Sequence, residues 1–326
     1  MKRTTQKGLE FGVLVFIISG LIVVSLFLVG SGNITRMVSG FEETAREEIG
    51  YIDHFKYPVL RNQLKEPGSL GNEIGTPIGS CYELYDRIED TPYADFHLTS
   101  NIDCWDRNEK ITSSFSGKLD GRGYTIENTN TPLFGTNNEQ IKNIRLEGVN
   151  IERSGSSGAV AVQNSGRIEN TTVSGEIGGQ SDIGGIVGTN TNKIISSFSE
   201  AHVNGTGSNV GGLAGSNTGT IKNSYAVGSV IGGDTVGGLV GQTTGTVDKT
   251  YSGARVQSDG SRGGLTGSGE ADNSFWSIDA SGIDPEEDQG GGRFKTDPLM
   301  ESKTTYTDER VRGLDDPWDF ENIWMF

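Results

Sequence analysis

The chain has 326 residues, 49 of them glycine, with 33% hydrophobic residues and a formal net charge of −16 at pH 7. This composition fits a turn-rich repeat protein better than a globule with a thick core. The acidic balance argues against a nucleic-acid partner, because nucleic acids select basic surfaces. Solubility, a high-salt habitat and calcium binding remain open as reasons for the acidity.

The N-terminus places Lys2, Arg3 and Lys7 before an uncharged apolar run from Phe11 to Val29. A helix over this run would be about 28 Å long, enough to cross a bilayer. The positive charge predicts a cytoplasmic N-terminus, so the chain after Val29 is expected to lie outside the cell, anchored at its surface. A cleaved secretory signal is the competing interpretation, but the run is long and no typical cleavage site follows it closely.

Four residues just before this run, Lys7, Gly8, Leu9 and Glu10, carry a second signal. They resemble the processing site of type IV prepilins, which implies cleavage after Gly8, a cytoplasmic leader over residues 1–8, and a helix that serves as filament core or anchor. Bacterial pilins usually carry their glutamate at the fifth mature position, whereas Glu10 would be the second. An archaeal pilin-like protein therefore fits better, and an uncleaved signal anchor is the alternative.

Apolar residues spaced by three or four continue to about Leu64 and predict an amphipathic helical stalk. The residues that follow this spacing are Ile34, Val38, Phe41, Ala45, Ile52 and Phe55. Residues 9–66 are thus expected to form a transmembrane or pilin-like helix with its stalk.

Residues 67–130 are expected to form a linker and an N-terminal cap that covers the open edge of the following domain. This region contains Cys81 and Cys104, the two cysteines of the chain, on either side of a predicted helix and strand. Outside the cell, such a pair favours a disulfide, and two buried thiols are the alternative.

One unit then repeats at intervals of about 26 residues, a period typical of solenoids and arrays. The clearest copies read GGIVGTNTNKIISSF from Gly184, GGLAGSNTGTIKNSY from Gly211 and GGLVGQTTGTVDKTY from Gly237. Fainter copies upstream and downstream bring the total to roughly six rungs, each rung being one turn of the coil. Positions are counted from the first glycine of each copy, so Gly184 is at position one.

Apolar residues fall on odd positions of the unit, and this period of two predicts short strands. Stacked rungs about 4.8 Å apart would place equal positions above one another. The predicted core columns are Ile186, Leu213 and Leu239 at position three and Phe198, Tyr225 and Tyr251 at position fifteen. Position thirteen repeats asparagine, which can hydrogen-bond along a stack; it holds Asn143, Asn170, Asn223 and Asn273.

The paired glycines suit corners that need a positive φ or a close approach of two backbones. These corner residues are Gly184, Gly185, Gly211, Gly212, Gly237, Gly238, Gly263 and Gly264.

The repeat GGLxGxNxGxIxNSY resembles the GLUG motif of bacterial and archaeal surface proteins. FSGKLDGRGYTIENTNTPLFG upstream resembles the strand that leads into such repeats, and NSFW followed by WDFENIW is similar to the tail that closes them. The resemblance covers roughly residues 74–326. It implies a mainly β protein with a parallel, right-handed β-solenoid over residues 131–276, an acidic C-terminal cap or tail over 277–326, a loose link to adhesion, and no catalytic residues.

No residue pattern typical of an active site was identified. Glu169 and Asp248, both at position twelve, would lie three rungs or roughly 14 Å apart, beyond the separation of glycosidase carboxylates. The acidic segment 284–288 lacks the alternating acids of a calcium loop. We therefore predict no enzymatic activity and no cofactor, with calcium kept as an open alternative.

Three Asn-x-Ser/Thr sequons occur, at Asn33, Asn170 and Asn204. Asn170 belongs to the asparagine column and is expected to be buried, so Asn33 and Asn204 are the glycosylation candidates.

These features together predict a cell-surface adhesin or a pilin-like filament subunit that displays an extracellular β-solenoid. The expected partners are the membrane through the N-terminal helix, further copies of the chain in a filament, and a host-surface glycan or protein. The alternative function is a membrane-tethered β-helix protein that binds or degrades polysaccharide, and a third is a purely structural envelope protein.

Overall fold

The computed structural model describes residues 10–18, 21–29, 57–60, 75–105, 112–312 and 314–325. The chain divides into two units, Met1–His54 and Phe55–Phe326.

In the first unit, the predicted apolar helix from Phe11 to Val29 is not found. The segment instead forms two antiparallel strands, Glu10–Ile18 and Leu21–Val29, in which Glu10 pairs with Val29 and Ile18 with Leu21. Val, Ile and Phe dominate the run, and these residues favour strands. Within the described part of the chain, no helix combines the length and apolar character that crossing a membrane requires.

The predicted stalk falls mostly outside the described residues. Where the structure does describe it, Val59–Leu60 is a strand paired antiparallel with Trp324–Met325. The helical prediction therefore fails at this point, because tertiary pairing with the C-terminus decides the local conformation.

The second unit is a parallel β-solenoid of about seven turns, built from four sheets that we call A to D. Sheet A consists of Thr112–Phe115, Phe134–Asn137, Ala161–Asn164, Val187–Asn190, Ala214–Asn217, Val240–Thr243 and Thr266–Ser268. Sheet B consists of Thr76–Ile78, Phe96–Leu98, Lys118–Asp120, Gln140–Lys142, Arg167–Glu169, Lys193–Ile195, Thr220–Lys222 and Thr246–Asp248.

Sheet C has ten strands and sheet D has four. Sheet C consists of Ile102–Asp103, Thr125–Glu127, Arg145–Glu152, Thr172–Gly179, Phe198–Ser199, His202–Gly205, Tyr225–Gly232, Tyr251–Ser258, Phe275–Ser277 and Arg293–Lys295. Sheet D consists of Ile183–Gly184, Ser208–Gly211, Asp234–Gly237 and Arg262–Gly263.

The register stacks like residues on like, as the repeat predicts. At position eleven Ile168 pairs with Ile194, Ile194 with Ile221, and Ile221 with Val247. These side chains are at most 1% exposed. Each rung therefore buries its apolar residues against its neighbours rather than within itself, which is why one repeat cannot fold alone.

The stack begins earlier than predicted. Thr76–Ile78 and Phe96–Leu98 already pair in sheet B, so part of the region expected to be a linker and cap forms the first rungs. A capping element is nevertheless present: helix Cys81–Asp90 buries Leu84 and Ile88 in the main core. Three short helices follow the last repeat, Ile278–Ser281, Asp297–Met300 and Thr304–Thr307.

Candidate functional site

A left-handed residue at position thirteen separates sheet B from sheet C in every rung of the repeat. The φ angles are positive, between 46° and 55°, at Asn143, Asn170, Ser196, Asn223, Lys249 and Asn273. Asparagine tolerates this conformation better than most residues, which explains its recurrence there. The predicted hydrogen bonding along this column occurs in part: Asn170 Nδ2 donates to Asn143 Oδ1 over 2.6 Å.

This left-handed residue reverses the alternation of side chains that the sequence suggested. Position fourteen now points inward, as the fully buried Ser197 and Ser224 show. The aromatic column Phe198, Tyr225 and Tyr251 therefore leaves the main core and lies on the outer side of sheet C, in a second apolar cluster. The prediction that these rings belong to the solenoid interior is wrong, while Ile186, Leu213 and Leu239 do lie in the main core.

The aromatic column is stacked along the solenoid axis. The ring centroids of Phe198 and Tyr225 are 4.8 Å apart and those of Tyr225 and Tyr251 are 4.6 Å apart. These distances match the spacing of adjacent parallel strands. The rings are nevertheless buried, so other parts of the chain must cover them.

The C-terminal tail, residues 277–326, supplies most of that cover. Trp318 and Trp324 are 3% and 0% exposed and lie 6.4 and 6.1 Å from Tyr251, centroid to centroid. Trp318 Nε1 also donates to the carbonyl oxygen of Asn273 over 2.8 Å. The tail is thus a lateral cover on sheet C, and its tryptophans are not displayed at the surface.

The entry segment, Tyr57–Leu60, completes the cover from the other end of the sequence. The Tyr57 ring lies edge-on to Tyr251, with the centroids 5.7 Å apart, and a Cβ on Gly253 would come within 2.6 Å of it. Tyr57 also donates a hydrogen bond to Asp297 in the tail. Burial, followed by this hydrogen bond, raises the pKa of Tyr57 above its ordinary value.

The paired glycines allow neighbouring parts of the chain to approach closely, and they do not adopt positive φ angles. None of the eight corner glycines has a positive φ. A Cβ on Gly185 would lie 2.0 Å from Ser199 Oγ, and a Cβ on Gly212 would lie 2.4 Å from the carbonyl oxygen of Gly238. The sequence left both explanations open, and the geometry selects the second for Gly184, Gly185, Gly211, Gly212, Gly237, Gly238, Gly263 and Gly264.

A second asparagine column, at position seven, was missed by the sequence analysis. Asn137, Asn164, Asn190 and Asn217 are at most 1% exposed. Each of the first three Nδ2 groups donates over 2.7 Å to Oδ1 of the next asparagine in the column, and Asn217 Nδ2 donates to Thr243 Oγ1 over 2.9 Å. The signal was the recurrence of asparagine at position seven in four successive copies, ending at Asn217.

The two cysteines are joined, Cys81 to Cys104, with their Cα atoms 5.3 Å apart. The bond ties the capping helix to the first rungs. Among the glycosylation candidates, Asn204 is exposed on sheet C, and Asn33 lies outside the described residues. Asn170 is 8% exposed and occupied by its bond to Asn143.

Of the predicted processing residues, Lys7, Gly8 and Leu9 lie outside the described residues, whereas Glu10 is the first residue of a strand.

Charged groups on the outer side of sheet B pair within the stack. At position twelve Lys222 Nζ lies 2.7 Å from Asp248 Oδ2, and Glu169 is held by Arg167 at 2.8 Å. The described residues contain no group of three or more His, Cys, Asp or Glu side chains arranged to hold a metal ion.

One acid on sheet C has an unusual environment. Burial, and secondarily the negative charge of Glu147, raises the pKa of Glu200 to about 7. Glu200 adjoins the second core: its charge also contributes to the raised pKa of Tyr251, for which burial is the main cause.

The outer side of sheet A carries no charge over six rungs. Position six lies in the strands of sheet A and points outward, opposite to the buried position seven. Position eight lies just after the end of each strand, at the corner that leads to sheet B. We call these side chains the hydroxyl face: Ser114, Ser116, Thr136, Asn138, Gln163, Ser165, Thr189, Thr191, Ser216, Thr218, Gln242 and Thr244. All twelve are half-buried or exposed, and the array ends at Glu270. It is the candidate contact surface of the solenoid.

Two family models match parts of the chain. Residues 80–175 match the N-terminal region of M26 IgA1-specific metallo-endopeptidases, and residues 206–231 match the GLUG motif. The second match confirms the GLUG repeat that the sequence indicated.

A solved structure entitled "IgA1 Protease" is similar to this chain with a TM-score of 0.54 at 16% identity. The similarity covers 85% of this chain but 22% of that protein, so this chain spans about a fifth of its length. At this identity the likeness establishes the fold, a GLUG-repeat β-solenoid. No curated protein sequence matches the chain.

Proposed function

We propose that this chain is a cell-surface display protein, an adhesin or pilin-like filament subunit, whose solenoid makes the contact with another surface. The observation that carries the proposal is the place where the chain enters the solenoid unit. The entry segment packs on Tyr251, near the C-terminal end of the stack, so the first rungs are the part farthest from it along the axis. Seven strand steps in sheet B separate these ends, about 34 Å.

This arrangement suits display. An anchor on the N-terminal side would hold the solenoid at one end and extend the other away from the cell. The Cys81–Cys104 disulfide fits an oxidising compartment and closes the far end. The net charge of −16 favours the solubility of an exposed solenoid.

Cell attachment tests the display function. Cells that lack the protein are complemented with the full chain or with residues 1–66 alone, and attachment to a host-type surface is counted. Attachment is expected with the full chain only. Equal attachment with residues 1–66 would overturn the role of the solenoid.

The pilin-like form of the proposal rests on Lys7, Gly8, Leu9 and Glu10 and has its own test. The intact mass and N-terminus are measured for protein from sheared filaments and from membranes. A chain that starts at Leu9 in the filaments is expected. A chain that starts at Met1 and occurs in membranes alone would exclude the pilin-like form and leave a membrane-tethered adhesin.

A second candidate is favoured by the match of residues 80–175 to the N-terminal region of a protease family. In this alternative the solenoid is a non-catalytic module that presents a substrate to a protease domain. Co-purification of the full chain with a peptidase activity that the solenoid enhances would favour it, and the attachment assay would then show no effect of the chain.

A further inference from the structure

The composition of the hydroxyl face is not explained by strand formation. Four of its six strand residues, those at position six, are Ser or Gln, which are not among the strand-favouring residues. Nor is it explained by solubility, since charged side chains serve that purpose elsewhere on this chain, which has 43 acids and 27 basic residues. The recurrence of uncharged hydrogen-bonding groups over six successive rungs therefore calls for a contact function.

The face offers the same chemistry at regular intervals. Each rung presents two hydroxyl or amide groups, and five steps of about 4.8 Å extend the array over about 24 Å. Some groups are partly occupied: Asn138 Nδ2 donates to Ser114 and Ser116, and Thr191 Oγ1 donates to the carbonyl oxygen of Asn164. A hydroxyl that donates once still has two lone pairs with which to accept.

The charge pattern limits the kind of partner. The hydroxyl face has no cation to hold a polyanion, no apolar side chain to hold a hydrophobic surface, and acids only at its border. Asp182 stands at that border, where its carboxylate accepts a hydrogen bond from Ser216. A polymer of neutral units rich in hydroxyl groups is the ligand that matches donors and acceptors of this kind.

Other outer surfaces are less suited to such a ligand. The C-terminal half of sheet C is covered by the tail and the entry segment. Sheet B presents charged pairs such as Lys222 with Asp248. Sheet A alone combines exposure, regularity and neutrality among the described faces of the stack.

We propose that the hydroxyl face binds a neutral polysaccharide whose chain runs along the stack. The proposal rests on the attachment function and names its ligand class. Each hydrogen bond contributes about 0.5–1.5 kcal/mol net. Several rungs that engage one polymer raise the overall affinity through effective concentration.

The test uses full-length protein in detergent and three insoluble neutral probes, microcrystalline cellulose, chitin and starch granules, with cross-linked pectate as the charged comparison. The face variant T191K/T218K/T244K is compared with T246K/T304K/T307K, which adds the same charge at positions outside the hydroxyl face. Thermal unfolding checks that both variants fold, as expected for outward-facing positions.

Wild-type protein is expected to bind at least one neutral probe and to keep that binding in about 1 M NaCl, because no ion pair is involved. The face variant should lose at least about tenfold in affinity, or roughly 1.4 kcal/mol, and the control variant should stay within about twofold. Equal behaviour of the two variants, binding to pectate alone, or no binding to any neutral probe would each overturn the proposal.

The cell-attachment assay separates this inference from the function on which it rests. Normal attachment by the face variant, or attachment to a surface from which glycans have been removed, would place the contact elsewhere while display stands. No attachment by wild-type cells would remove the display function, and the pull-down would still decide whether the face binds polysaccharide.

Discussion

The hydroxyl group of Tyr57 donates a 2.5 Å hydrogen bond to a carboxylate oxygen of Asp297, 240 residues further along the chain. The same carboxylate accepts a bond from Ser277 at the end of the repeat. Through this one acid the entry segment, the last rung and the tail are joined. The two ends of the solenoid unit thus stabilise each other on the outer side of sheet C.

Replacing Tyr57 tests this connection. Tyr57→Phe should lower the free energy of unfolding by about 1–2 kcal/mol, because Asp297 loses a donor. Tyr57→Ala should cost about 3 kcal/mol or more, since the ring is also lost from the second core. Chemical denaturation and limited proteolysis of the tail provide the measurements. Unchanged stability in both variants would show that the entry segment does not hold the tail in place.

Removing the hydroxyl group of Tyr251 is expected to have the opposite effect on stability to removing that of Tyr57. The Tyr251 hydroxyl is fully buried and has no hydrogen-bond partner among the described residues. Tyr251→Phe removes the desolvated hydroxyl and keeps the stacked ring, so stability should be unchanged or higher by up to about 1 kcal/mol. The same denaturation curves compare it with Tyr57→Phe. A loss greater than about 1 kcal/mol would mean that the hydroxyl has a partner, such as a buried water.

Much of the fold could be predicted from the repeat itself. Period-two spacing identified the strands, and the apolar residues at positions three and eleven do form the inner columns. Which side chains point inward after position thirteen could not be predicted. A single left-handed residue such as Asn223 inverts the alternation of inward and outward side chains. Had the recurring asparagine been interpreted as a left-handed turn, Tyr225 would have been assigned to the outside.

Local sequence patterns could not predict which segments cover the aromatic column. Val59 and Met325 pair across most of the chain length, so no local spacing of residues indicates their contact. The run from Phe11 to Val29 shows the same limit, since an apolar stretch of β-branched and aromatic residues is compatible with a helix or with two strands. The uncharged outer side of sheet A was readable in the sequence only after position seven was known to be buried.

The buried asparagine column at position seven should carry a large share of the stability of the stack. Asn190 accepts from Asn164 and donates to Asn217, each over 2.7 Å. Asn190→Ala removes the donor to Asn217 Oδ1 and one acceptor of Asn164 Nδ2, and should cost about 2–4 kcal/mol. Asn190→Thr should cost less, because Thr243 already fills this position in a later rung. Thr218→Ala, on the exposed side, is the control and should change stability by less than about 0.5 kcal/mol.

These values are obtainable from thermal and denaturant unfolding of the three variants. Equal losses for Asn190→Ala and Thr218→Ala would contradict a structural role for the column. A loss for Asn190→Thr as large as that for Asn190→Ala would show that the amide, and not hydrogen bonding in general, is required.

Glu200 predicts how stability depends on pH. The folded chain holds its proton up to about pH 7, whereas the ordinary value is 4.5. Between these values the folded state binds more protons than the unfolded state, so the contribution of Glu200 is fully present below about pH 4.5 and is lost as pH rises to 7. After a discount for solvent screening of the Glu200 charge, this loss of stability is on the order of 2–3 kcal/mol. Glu200→Gln should remove this pH-dependent contribution. The stability of the variant relative to the wild type should therefore increase as the pH rises from about 4.5 to 7. Parallel stability curves for the two proteins between pH 4.5 and 7.5 would refute the raised pKa, and with it the close apposition of Glu200, Glu147 and the second core.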